Sequence, residues 1–154
     1  MYEDDEDRLA AADQLAGHNP HAAAEALSAI ACDQTVGDEV RLSAAEQLTT
    51  VDPGSAAQAC TAIACDRTVG DEVRLSAAEL VTTVDPGSAA QACTAIACDR
   101  TVGDEVRLSA AEALADVDPQ GAAPACAAIA RDRTVGDEVR RSAAEHLAAL
   151  GTSA

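Results

Sequence analysis

CDRTVGDEVRLSAAE, residues 65–79, decides the fold of this chain because it is written more than once. It returns letter for letter at 98–112. CDQTVGDEVRLSAAE stands at 32–46 and RDRTVGDEVRRSAAE at 131–145. The copies begin at Cys32, Cys65, Cys98 and Arg131, each 33 residues after the last. Upstream, Asp5-Glu6-Asp7-Arg8-Leu9 falls one period before Asp38-Glu39-Val40-Arg41-Leu42. A fixed period between about 20 and 50 residues marks a solenoid, in which each unit buries its apolar face only against its neighbours.

Each period reads as two helices. In Val51-Asp52-Pro53, Asp52 is a good N-cap and Pro53 a good first helical residue. Helix A then runs through SAAQACTAIAC, and DRTVG breaks it. Helix B spans about 71–84, with Asp71 and Glu72 in the first turn, where the helix dipole favours negative charge. No segment alternates with period two, so no strands are expected. The expected organisation is a single domain, residues 1–154. It has a capping helix at 3–17, repeats at about 19–51, 52–84, 85–117 and 118–150, and a short tail at 151–154.

Stepping about 100° per residue from Val40 places Ala44, Leu48 and Ala45 in an apolar arc that covers about half of helix B. Val40 and Leu42 lie at its opposite edges, so they should face opposite neighbouring repeats. The outermost B helices agree. The Val40 position is Asp7 in the first, and the Leu42 position is Arg141 in the last. Each goes polar on one edge only, as capped end repeats do; the expectation is a complete small solenoid.

Composition narrows function by exclusion. The chain is 48% hydrophobic, but it has no Trp, no Phe and one Tyr, so its core must be a thin layer of Ala between close-packed helices. The net charge is −17, and every basic residue is Arg. That field repels nucleic acid and anionic membranes and attracts basic partners. No apolar run approaches the ~20 residues of a bilayer span. The N-terminus MYEDDEDR is acidic where a signal peptide would be basic. A cytoplasmic protein with reduced cysteines is expected.

The unit resembles the HEAT repeat, in the short bacterial form often called PBS-lyase HEAT-like. The likeness rests on D-x-x-V-x-x-x-V-R-x-x-A-A-x-x-L, read as Asp66, Val69, Val73, Arg74, Ala77 and Ala78, with Leu80 one step from the family register. The resemblance implies an all-α, right-handed α-solenoid whose B helices line the concave face. It also implies a structural ladder in which an Asp of the A–B loop bonds the Arg of helix B. The matching positions are Asp33, Asp66, Asp99 and Asp132, with Arg41, Arg74, Arg107 and Arg140. Within one block, Asp66 and Arg74 are the expected partners. Arg41 sits amid the apolar arc, where its charge needs a carboxylate.

The strip left to solvent on helix B carries the candidate partner-binding residues: Glu39, Glu46, Glu72, Ser76, Glu79, Glu105, Ser109, Glu112, Glu138 and Glu145. Stacked helices lie ~9–10 Å apart, close to a Debye length, so the Glu rows act as one negative band. Cys60, Cys93 and Cys126 lie on the apolar face of helix A, and Cys32, Cys65 and Cys98 nearer its polar side. Their spacing and directions suit neither a disulfide nor zinc. His18 and His21 read as loop residues and His146 as solvent-facing.

No P-loop, H-E-x-x-H, G-x-G-x-x-G or G-x-S-x-G stretch occurs. Neither an enzyme nor a cofactor is expected, and no catalytic or metal residues are assigned. The expected function is a non-catalytic scaffold that binds a protein or peptide with a basic surface. No direct contact with nucleic acid or membrane is expected, and the chain should be a monomer or weak homo-oligomer. The alternatives are an acidic DNA-mimic decoy, a self-assembling repeat protein and, from the family name, a phycobilin-lyase-type accessory protein.

Overall fold

The computed structural model describes the backbone of residues 2–152 and the side chains of residues 4–152. Among these residues the chain is all-helical, with nine helices and no strand. They are α1 (Tyr2–Ala16), α2 (Pro20–Cys32), α3 (Asp38–Val51), α4 (Pro53–Cys65), α5 (Asp71–Thr82), α6 (Pro86–Ala97), α7 (Asp104–Val117), α8 (Pro119–Arg131) and α9 (Asp137–Thr152). Odd-numbered helices are of B type and even-numbered helices of A type. Each helix packs on the next in the chain. B helices also pack on B helices (α3 on α5, α5 on α7) and A on A (α4 on α6). This is an α-solenoid of helical repeats. Gly151 and Thr152, expected in a tail, extend α9; the last two residues lie outside the described part. No helix is long and apolar enough to cross a membrane.

The starts of the helices follow the sequence. Asp52, Asp85 and Asp118 cap α4, α6 and α8 through side-chain bonds to backbone N–H groups, and Asn19 caps α2. A Pro opens each of these helices, where its missing N–H costs nothing. Helix B begins differently. Gly37, Gly70 and Gly103 occupy its N-cap and offer no side-chain cap to the first-turn N–H groups.

The core is thin, and half of its buried hydrophobic residues are Ala. Helix A contributes one large aliphatic group per unit at the seam (Ile63, Ile96, Ile129), beside Cys60, Cys93 and Cys126, all fully buried. Helix B contributes Leu48, Val81 and Leu114, also fully buried. The loops add Val36, Val69, Val102 and Val135, each at most 4% exposed.

The two edges of helix B point as expected. On α9, which packs on α7 and α8, Val139 is buried and Arg141 exposed. On α1, which packs on α2 and α3, Leu9 packs against the core and Asp7 is exposed. The Val edge therefore faces the preceding repeat and the Leu edge the following one.

Candidate protein-binding face

The A–B loop sets the register of the helices that form this face. In each loop one Asp does two jobs with two oxygens. Asp66 Oδ1 accepts from the Thr68 N–H at 3.0 Å and from Thr68 Oγ1 at 2.6 Å, which closes the turn. Asp66 Oδ2 accepts from Arg41 Nη1 at 3.1 Å. Asp99 does the same with Thr101 and Arg74, and Asp132 with Thr134 and Arg107.

The ladder expected from sequence therefore exists, but its rungs are staggered. Asp66 does not pair with Arg74 of its own block. Each Arg of helix B reaches the Asp of the following repeat, while its Nε donates to a carbonyl at the end of its own helix A. The physical reason is that the guanidinium lies in the seam between repeats. From there one side is met by its own helix A and the other by the next loop. The pattern begins with Arg8 on Asp33 at 3.4 Å. Arg140 departs from this pattern. Its guanidinium bonds Asp137, and its Nε is buried without a partner.

Two further contacts across repeats were not foreseen. Arg67 and Arg100 add a second guanidinium to Asp99 and Asp132, at 3.3 and 3.7 Å. The Asp that opens each B helix accepts from the N-cap Gly N–H of the next: Asp38 from Gly70 at 2.9 Å, Asp71 from Gly103 at 2.9 Å and Asp104 from Gly136 at 3.0 Å. The signal was present as a carboxylate at the same helix position in every unit, but a dipole role alone accounts for it equally well.

These bonds hold the ladder carboxyls below the ordinary range. For Asp66, Asp99 and Asp132 the largest contribution is the Thr hydroxyl of the same loop, with the Arg of the preceding repeat adding to it. Asp132 falls to about 2.

The Glu rows stand where the periodicity put them. Glu39, Glu72, Glu105 and Glu138 are exposed, as are Glu46, Glu79, Glu112 and Glu145. Ser76 is exposed and Ser109 half-buried. The rows line two grooves. An open one of about 860 Å³ runs along the starts of α5, α7 and α9. Val73, Val106 and Val139 form its apolar side, and Glu72, Glu105 and Glu138 stand beside them with Asp71, Asp104 and Asp137. A smaller one of about 340 Å³ holds Glu79, Ser109, Glu112 and Asp116 between α5 and α7. Asp116 was not singled out in the sequence because Thr50 and Thr83 occupy its place in the earlier units; its position on the solvent strip was the available signal.

Histidine placement differs from expectation. His146 is not simply solvent-facing, because its Nε2 lies 2.7 Å from Glu112 of the neighbouring B helix. His21 sits in the first turn of α2, not in a loop, with Nε2 3.4 Å from Glu25. Among the described residues no group of His, Cys, Asp or Glu is arranged to hold a metal ion. All six cysteines are free: Cys60, Cys93 and Cys126 buried, Cys32, Cys65 and Cys98 exposed. Burial is the main influence on Cys60 and Cys93, whose thiols are pushed up to about 11.

No family model, no curated protein and no solved structure matches this chain.

Proposed function

We propose that the chain is a non-catalytic, HEAT-like binding module of the cytoplasm whose acidic B-helix face takes a basic segment of another protein. The observation that carries this reading is the groove along α5, α7 and α9, which repeats Val73-type and Glu72-type residues in register over three units. Lys and Arg side chains have an apolar stem and a charged head. A floor of Val73, Val106 and Val139 suits the stems, and Glu72, Glu105 and Glu138 suit the heads.

Spacing refines the partner. Stacked helices lie about 8–10 Å apart. A polyproline II strand advances about 9 Å in each turn of three residues. A basic residue at every third position of such a segment meets one Glu per repeat.

The test is anisotropy with a fluorescein-labelled peptide of Arg-Pro-Pro triplets, against an isomer with its Arg residues contiguous. The spaced peptide is expected to bind more tightly. Changing Glu72, Glu79, Glu105 and Glu112 together to Arg should abolish binding and empty a pull-down from cell extract. Equal binding of both peptides, or an unchanged partner list for the variant, sinks the reading.

A further inference from the structure

We infer that the chain associates head to tail with itself, with α9 of one copy packing on α1 of the next in the register that α7 and α9 already use.

Inside the solenoid, one side of the α7–α9 junction carries Leu108 and Ala111, and the other carries Val139 and Ala143. All four are buried. The residues at the same positions on the outer faces are Arg141 and Ala144 of α9, and Asp7 and Ala11 of α1. All four are exposed. The large apolar residue has thus become Arg on one face and Asp on the other, while the Ala seam is retained on both.

A seam of small residues allows close approach of a second helix. Leu15 adds to the uncovered face of α1. It is the one large hydrophobic side chain exposed among the described residues, at 38%. Its counterparts Leu48, Val81 and Leu114 are fully buried, and Leu147 on α9 is half-buried.

Charge selects the occupant. Arg131, Arg133, Arg140 and Arg141 gather four of the ten Arg in one block of sequence at the α9 end. Asp4, Glu6 and Asp7 are exposed at the α1 end. Asp7 and Arg141 are opposite in sign, and the heterologous contact places Arg141 on Asp7, at the positions that Leu108 and Val139 hold in the α7–α9 junction. Such a contact propagates into a ring or a filament. It joins one helix pair, whereas an internal junction joins an A pair as well, so association is reversible and concentration dependent.

The test is sedimentation velocity of the full chain over a concentration series at about 0.15 M salt, where exposed charges act over ~8 Å. The weight-average mass should rise with concentration. Arg141→Asp and Asp7→Arg should each weaken association roughly tenfold or more. The double charge swap should restore it, and it leaves the net charge of −17 unchanged, so bulk repulsion is held constant. Both positions are exposed, and circular dichroism of each variant should match the parent. A parent chain that stays monomeric throughout, single variants that associate like the parent, or a double variant no better than the singles overturns the inference.

Discussion

Arg74 and Asp99 bind each other across a repeat boundary, Nη1 to Oδ2 at 3.2 Å, with both side chains 2% exposed. Arg74 also donates through Nε to the Ala64 carbonyl at 2.9 Å. One side chain thus joins the end of its own helix A to the loop of the next unit. Asp99 in turn holds Thr101 and Arg67. In a core half of whose buried hydrophobic residues are Ala, this polar seam fixes the offset between units, which small side chains alone specify weakly.

Removing the two ends of this bond should not be equivalent. Asp99→Ala strands a buried guanidinium and opens the Thr101 turn, and should cost roughly 3–5 kcal/mol. Arg74→Met removes the charge with an apolar stem of similar reach, and Asp99 keeps Thr101 and Arg67. Its cost should be clearly smaller. Urea unfolding of both variants measures this; an Asp99→Ala variant as stable as Arg74→Met refutes the buried-charge account.

Acid should weaken the fold in a defined window. Asp66, Asp99 and Asp132 have folded values below the ordinary carboxylate value, chiefly through the Thr hydroxyls, and Asp132 lies at about 2. A depressed folded pKa gives stability that is fully present above the unfolded value, about 4, and is lost as pH falls through the folded one. Thermal midpoints taken from pH 7 to 2 should therefore drop mainly between about 4 and 2. Thr134→Val raises the folded value of Asp132 towards the unfolded one, so the acid loss should become smaller and end at a higher pH. A midpoint that stays level from pH 4 to 2 would count against the ladder as a source of stability.

The second ladder should be weaker and separable from the first. Asp71→Ala removes the acceptor of the Gly103 N–H at the start of α7. The expected loss is about 1 kcal/mol, the usual worth of one capping bond. Asp71→Asn keeps an acceptor oxygen and should recover most of it. Amide exchange at Gly103 gives a direct reading, since protection there should fall in the Ala variant and return in the Asn variant.

Thiol chemistry should divide the cysteines evenly. Cys32, Cys65 and Cys98 are exposed, and Cys60, Cys93 and Cys126 buried. Ellman's reagent should modify three thiols in the native chain and six in denaturant. Peptide mapping should place the native three at the ends of the A helices. Modification of Cys60 or Cys93 in the folded state would contradict the packing of the A layer.

The sequence by itself determined whatever acts within one helix or one loop. Asp52 and Pro53 start α4 by capping and by a fixed φ. The spacing of Val40, Ala44, Leu48 and Leu42 sets which face is buried and which edges look outward, and the same count puts Glu72 and Glu79 in water. It also separates Cys60 from Cys65. Tertiary structure alone decided which copy meets which. Because the blocks are nearly identical, sequence can say that this Asp pairs with this Arg type, and no local signal says whether Asp99 takes Arg107 or Arg74. The stacking offset decides for Arg74, and it also brings Asp71 to Gly103, Arg67 to Asp99 and His146 to Glu112. Each of these bonds spans about one repeat, and the displacement of one unit on its neighbour is set by how two Ala-rich surfaces pack, not by any residue read alone.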